Sequence, residues 1–313
     1  GSGTLLNLTA GGATGTATFT SVSTTVGGTA TVQYIATDAN GCQVTVTEDV
    51  IVHPRPTANI TPNPAALCAG TTLALDGNPT GGSGVFPVLG HVWNIANTST
   101  TTGAITNNGD GTITLTSTGG AGFIYLEYTV TDNHGCSSLM VTRPVTVNAL
   151  PTAGPITGGT DVCVGDNLAL DGQPVGGSGT FTGGMSNHDW QITGGTGAAT
   201  ITNNNDGTIT LTGVSAGTVN LSYIPTDDRG CVAAAAVTLT VNVRPLPTAN
   251  ITGTNQICGD GTSSTLLNGN GAVTAPATIS THAWSITAGS GTLLNLTAGG
   301  ATGTATFTSV STT

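Results

Sequence analysis

The amino-acid sequence predicts an all-β protein built from tandem seven-strand sandwiches in a linear array. Three observations carry that expectation. Residues 1–25 (GSGTLLNLTAGGATGTATFTSVSTT) recur letter for letter as residues 289–313, an offset of 288 residues. Inside that period lies a finer repeat of about 96 residues, and fixed-period self-similarity sets the architecture before any local reading. Thr makes up about one residue in five and Gly 48 of 313, with no apolar period of 3.6 residues, so strands and tight turns are favoured over helices.

The finer repeat is marked by recurring residues. PTANI at 56–60 returns as PTAGPI at 151–156 and PTANI at 248–252. One Cys falls at Cys68, Cys163 and Cys258, another at Cys42, Cys136 and Cys231. His-x-Trp falls at His91/Trp93, His188/Trp190 and His282/Trp284. The expected domains are therefore 56–150 and 151–246, both whole. Residues 247–313 form the N-terminal part of a third, and 1–55 the C-terminal part of the same type from a preceding cassette. On this reading the chain is slightly more than one period of a longer polypeptide and its ends are not natural termini.

Within 56–150 the elements follow in order. Thr57–Thr61 opens the unit and leads to Cys68. TLALDG (72–77) alternates apolar and polar residues, as a half-buried strand does. The loop NPTGGSG follows, then the strand HVWNI (91–95). AIT (104–106) and TITLT (112–116) flank NNGDG, a hairpin signal. FIYLEYTV (123–130) is the next strand, Asp132-Asn-His-Gly135 a tight turn, and 136–148 the last strand. Seven short strands around a central Trp indicate an immunoglobulin-like β-sandwich. The expected core of this unit is Leu73, Leu75, Trp93, Ile95, Ile113, Leu115, Ile124, Leu126 and Tyr128. By repetition Trp190, Trp284, Tyr34 and Tyr223 join the structural core.

The pattern Cys163-Val-Gly-Asp-Asn-Leu-Ala-Leu-Asp-Gly172, then Gly176-Gly-Ser-Gly179, Trp190 and Tyr223-Ile-Pro-Thr-Asp-Asp-Arg-Gly-Cys231 resembles the PKD-like and immunoglobulin-like repeats of giant secreted bacterial surface proteins, gliding-type adhesins among them. The resemblance covers the whole chain and implies an extracellular, repetitive sandwich array. The chain departs from the Trp-x-Phe-Gly-Asp-Gly of true PKD domains, reading Trp93-Asn-Ile, Trp190-Gln-Ile and Trp284-Ser-Ile, so the likeness is to PKD-like repeats. The third unit has Cys258-Gly-Asp-Gly and lacks the Gly-Gly-Ser-Gly loop.

Composition narrows the function classes. Only 6% of residues are charged, against about 25% in ordinary soluble proteins. Lys is absent, and the net charge is −11 without a basic patch, which argues against nucleic acid as a partner. No apolar run approaches the roughly 18 residues of a membrane span. No nucleophile–base arrangement stands out, so no catalytic residue, metal or cofactor is assigned. Asn107-Asn-Gly-Asp-Gly111 and Asn203-Asn-Asn-Asp-Gly207 read as Asp-Gly hairpin turns rather than calcium loops. Sequons at Asn7, Asn59, Asn97, Asn220, Asn250 and Asn295 make glycans possible.

Six regularly spaced Cys read as disulfides of an oxidising compartment. The equal spacing of 68 residues suggests Cys68–Cys136 and Cys163–Cys231, one bond per domain. Sandwich topology opposes it: the two Cys of a domain then stand at opposite ends, about 25 Å apart by strand rise, while a disulfide needs Cα atoms within about 7 Å. Cys68 of one domain is better placed for Cys231 of the next. The expected role is a structural cassette of an extracellular fibre whose partners are further copies of itself. Each domain adds roughly 35–45 Å. A stalk or glycan-binding adhesin is the alternative.

Three of the four Arg, Arg55, Arg143 and Arg244, precede Pro, which leaves Arg229–Gly230 as the one ordinary tryptic bond. Trypsin should leave the native chain intact. It should cut the reduced, denatured chain once, giving residues 1–229 and 230–313 on a gel.

Overall fold

The computed structural model describes residues 5–12, 15–22, 26–182, 187–274, 277–288, 294–298 and 303–310. These residues fold as antiparallel and mixed β-sheets without an α-helix. They fall into two compact units. The first comprises Gly1–Thr152 with Val175–Asn187 and Thr226–Ala234. The second comprises Ala153–Pro174, His188–Pro225 and Ala235–Thr313.

The first unit contains a full sandwich. One sheet has the order Gly103–Asn107, Thr112–Ser117, Thr72–Asp76. The other has the order Ala65–Cys68, Val141–Asn148, Gly122–Val130, His91–Ile95. Alternation along the strands decides what is inside. Thr112–Ser117 and Gly122–Val130 bury every second residue. Leu75, Ile113 and Leu115 meet Leu67, Trp93, Ile124, Leu126, Tyr128, Val145 and Val147, with Leu73 and Ile95 partly buried at the margin.

Two elements differ from the sequence expectation. The opening segment is split. Thr61 still bridges Asp76 of one sheet, but Ala65–Cys68 lies parallel to the last strand of the other, with Cys68 opposite Asn148. Pro62 and Pro64 stand at the switch, where residues without an N–H cannot extend a ladder. The last strand starts at Val141 rather than at Cys136. The Cys136 N–H is turned away to the Asp132 carboxylate.

In the second unit the core is Val162, Leu170, Trp190, Ile209, Leu211, Val219, Leu221, Tyr223, Val241 and Val243. The sheets have the orders Thr157–Gly158, Asn167–Asp171, Thr208–Ser215, Ala198–Asn203 and Asp161–Cys163, Val237–Arg244, Gly217–Thr226, Asn187–Gly195. The same unit holds a further sheet, Thr248–Gly253, Ser264–Ala272, Thr304–Ser309, Leu294–Ala298.

In both sandwiches a tyrosine crosses the core. The Tyr128 hydroxyl lies 2.8 Å from His91 Nδ1, and the Tyr223 hydroxyl 2.8 Å from His188 Nδ1. The rings rest on Trp93 and Trp190, at centroid distances of 4.4 and 4.6 Å. Gly77 and Gly172 lie against these rings, with no room for a side chain.

Tyr34 and Trp284 depart from the core assignment. Tyr34 is 53% exposed. It sits on the ribbon Gly28–Thr37/Gln43–Val52, a two-stranded sheet that leaves the rest of a sandwich unbuilt around it. Trp284 is half-buried against Phe307 and lies outside any strand. The equivalent Trp93 strand pairs with Gly122–Val130. The repeat counterpart of that partner is Gly28–Thr37, whose only ladder is with Gln43–Val52.

Replacing Gly172 with Ala drives a methyl into the Tyr223 ring and should cost about 1–3 kcal/mol in denaturant unfolding. Gly120→Ala, where a Cβ meets nothing within 4 Å, serves as the near-neutral control.

Candidate functional site: a disulfide-stapled junction

The functional residues of a structural repeat are those that join one repeat to the next. Cys68 is bonded to Cys231 across 163 residues of sequence, with Cα atoms 5.5 Å apart. Both belong to the first unit.

Local sequence places each partner. Cys68 ends the strand Ala65–Cys68, opposite Asn148, and Ala69 N–H continues the ladder to the Asn148 carbonyl. Cys231 closes the turn Asp227-Asp-Arg-Gly230. Asp227, fully buried, accepts the N–H groups of Arg229 and Cys231 on Oδ1 and that of Gly179 on Oδ2. One carboxylate thus ties the cysteine turn to the Gly-Gly-Ser-Gly loop.

The first repeat uses the same device. Asp132 Oδ1 accepts from His134 and Cys136, and Oδ2 from Ser83. Burial opposes ionisation of Asp132. The N–H groups of Ser83, Cys136 and His134 outweigh it and hold the carboxyl below its ordinary value. Asp38 keeps the turn half of the arrangement, accepting from Asn40 and Cys42, in the repeat type without the Gly-rich loop.

Around the bond, Ala149 N–H donates to Ser178 Oγ at 2.7 Å and Arg229 Nη1 to Asn148 Oδ1 at 3.3 Å. Pro151–Thr152 pairs with Val175–Gly176. The equivalent place before the first repeat pairs Pro56–Thr57 with Thr80–Gly81 and stacks His53 on His134 at 3.8 Å between centroids.

The other four cysteines are free thiols, Cys42 and Cys258 exposed, Cys136 and Cys163 half-buried. The intradomain pairs Cys68–Cys136 and Cys163–Cys231 are absent, because Cys231 is bonded to Cys68. Asn7, Asn97, Asn220 and Asn250 are exposed and Asn59 is half-buried; the side chain of Asn295 lies outside the described residues. The Asn220 Oδ1 also accepts from Thr240. Asp110 and Asp206 cap their hairpins through the hydroxyl and N–H of Thr112 and Thr208, which lower both carboxyl pKa values. Among the described residues no group of three or more His, Cys, Asp or Glu is placed to hold a metal ion.

Sequence reasoning missed Asp132, Asp227, Ser178 and the Arg229–Asn148 bond. The signal for the first two was present in the recurrent Thr-Asp-x-x-Gly-Cys. Four-residue spacing from Asp to Cys suits a side chain that accepts from a following turn.

No family model matches the chain, and no curated protein does. Among solved structures, it is similar to the N-terminal eight Ig domains of Down Syndrome Cell Adhesion Molecule isoform 1.30.30. That likeness has 16% identity and a TM-score of 0.37, over 94% of this chain and 38% of that one. It is also similar to fibronectin(III)-like modules of Clostridium thermocellum CbhA, at 15% identity, TM-score 0.32, 60% of this chain and 95% of that one. The D00-D0 domain of Intimin matches at 16% identity and TM-score 0.30, over 60% of this chain and 98% of that one.

Cys231→Ser should leave both cores intact and lower the stability of the oxidised chain by about 2–5 kcal/mol. Comparing thermal unfolding of wild type and variant, with and without reductant, checks this. Reductant should erase the difference.

Proposed function

We propose that the chain is a structural cassette of an extracellular fibre, secreted or borne on a bacterial surface, in which domains 56–150 and 151–246 and the split third domain follow one another with a 288-residue period. The observation that carries this reading is the Cys68–Cys231 bond. It ties the residues of one repeat to those of the next, in a chain that repeats itself.

Several features support it. A disulfide of this kind suits an oxidising compartment. The free thiols Cys42, Cys136, Cys163 and Cys258 occupy positions equivalent to the two bonded ones, as members of a longer series of staples would. Sparse charge and absent Lys leave strand edges weakly guarded against lateral pairing, which suits a material more than a free monomer. The side chains that recur most faithfully, His-x-Trp and the core Tyr, pack with one another and so build the scaffold.

Electron microscopy of the native material tests the reading. Continuous filaments with an axial repeat of three domains are expected. Isolated stalks ending in globular tips would instead place the chain in an adhesin.

A further inference from the structure

The third repeat type is present twice in halves, and the halves are complementary. The C-terminal half supplies one layer, the sheet of Thr248–Gly253, Ser264–Ala272, Thr304–Ser309 and Leu294–Ala298. This sheet is the counterpart of Thr157–Gly158, Asn167–Asp171, Thr208–Ser215 and Ala198–Asn203 in the second sandwich. The layer that would cover it is the counterpart of Gly217–Thr226 and Val237–Arg244. That counterpart is Gly28–Thr37 and Gln43–Val52. The ladders agree residue for residue at their ends: Gly122 opposes Val147, Gly217 opposes Val243 and Gly28 opposes Val52. Six residues after each glycine stands a tyrosine: Tyr128, Tyr223, Tyr34.

The C-terminal half also carries a tyrosine socket. In the complete sandwiches the socket is a His, a Trp two residues on, and a glycine whose N–H binds the carbonyl of a second glycine, Gly77 to Gly111 at 3.1 Å and Gly172 to Gly207 at 3.0 Å. The same parts stand at His282, Trp284 and Gly269, whose N–H binds the Gly303 carbonyl at 2.7 Å. Gly303 lies against the His282 ring as Gly111 lies against His91. The chain has four tyrosines. Tyr128 and Tyr223 fill the first two sockets and Tyr125 lies beside Phe123. Tyr34, 53% exposed, is the one left. Around it a cleft of about 760 Å³, lined by Leu6, Leu8, Phe19, Val32 and Val46, lies open between the two N-terminal ribbons.

The geometry points to strand complementation between copies of this chain: residues 26–52 of a second copy close the sandwich begun by residues 248–309 of the first. Tyr34 of the second copy then meets His282 Nδ1 and lies on Trp284 and Gly269. One of the two identical hairpins, Leu6–Ala10/Ala17–Ser21 of the second copy or Leu294–Ala298/Thr304–Ser309 of the first, fills the shared place, and the other is surplus. Their registers are the same, Leu6 opposite Ser21 and Leu294 opposite Ser309.

The thiols supply an independent argument. The observed bond joins the Cys that follows an Asp turn to the Cys of the preceding repeat. Applied to the completed sandwich, the same rule pairs Cys42 of the second copy with Cys163 of the first, and Cys136 of the second with Cys258 of the first. One junction therefore accounts for all four free thiols. Cys136 Sγ already lies 3.9 Å from the His53 carbonyl. His53 follows Val52 as Asn148 follows Val147, and Asn148 is the residue that faces Cys68. Each bond converts two thiols to a disulfide. The two protons and two electrons released pass to a small-molecule disulfide such as oxidised glutathione, which becomes two thiols.

The inference uses the equivalence of the three repeats from the fibre reading. Its failure would leave filaments imaged on native material untouched. The test uses two full-length variants, Cys42→Ser/Cys136→Ser and Cys163→Ser/Cys258→Ser, in a glutathione redox buffer. Each alone is expected to stay monomeric on a non-reducing gel. Mixed, they should still be monomeric on that gel while associating in sedimentation, because each variant lacks one half of the bonds at one of the two orientations and retains both at the other.

The retained orientation decides: the first variant's Cys163 and Cys258 cannot meet the second's Cys42 and Cys136 unless the first variant supplies the C-terminal half. In that orientation a disulfide-linked heterodimer forms, and peptide mass spectrometry should find Cys42–Cys163 and Cys136–Cys258. Tyr34→Ala and His282→Ala, on opposite sides of the junction, should each weaken association of the reduced chains about tenfold, as loss of a buried hydrogen-bond partner does. Monomers throughout, bonds between the same cysteines within one chain, or association indifferent to Tyr34 and His282 would overturn the inference.

Discussion

A phenol hydroxyl taken out of water needs a partner, and leaving it without one costs roughly 1–3 kcal/mol. The sandwiches are arranged around that requirement. Tyr128 is fully buried, and burial, followed by the charge of Asp76, pushes its phenol well above the ordinary value. His91 Nδ1 receives it, and His91 and Trp93 share one face of their strand because they are two residues apart. The ring passes over Gly77 at the end of the facing sheet. A side chain that starts in one layer and touches the other makes sense only when both layers exist. Tyr34 shows the converse: on an isolated ribbon the same residue stays in water.

The duplicated 25 residues separate local from tertiary causes within one molecule. Both copies form the same hairpin in the same register, so the sequence alone directs the turn and the pairing. Their burial differs. Phe307 is 8% exposed and Phe19 38%. The difference is the neighbour. Thr304–Ser309 pairs with Ser264–Ala272 as well as with its own hairpin partner, whereas Ala17–Ser21 has only Leu6–Ala10. Apolar burial comes from a third strand and an opposing layer that the hairpin cannot provide for itself.

This explains what was legible beforehand. Alternation in TITLT and FIYLEYTV and the Asp-Gly turns declare strands, hairpins and inward residues, because those depend on a period of two and on local turn chemistry. Strand membership of the opening segment was not legible. Nothing before Pro62 reveals that Ala65–Cys68 will join the far sheet in parallel. The Asp turn was visible only as a recurrent motif. Its physical content, a carboxylate binding the N–H groups of its own turn and of a loop 48 or 49 residues away in sequence, required coordinates. Trp284 and Tyr34 were misassigned for one reason: repetition implies a core position, but a core position needs both halves of the core.

The position of the disulfide follows from the same economy of constraint. A bond inside a sandwich would restrain residues that the Tyr–His–Trp core and two sheets already hold. The connection Asn148-Ala-Leu-Pro151 has far less around it: the Ala149–Ser178 and Arg229–Asn148 hydrogen bonds and a two-residue ladder at Pro151–Thr152. Hydrogen bonds of this exposed kind contribute about 0.5–1.5 kcal/mol each and break singly under load. Cys68–Cys231 runs beside that connection and is covalent, so tension along the chain has two routes past the weakest point. The Asp227 carboxylate, anchored to Gly179 as well as to the turn, keeps Cys231 presented at that place. Core, turn and bond thus act in series: the tyrosine fixes the sandwich, the aspartate fixes the cysteine relative to it, and the cysteine fixes the joint.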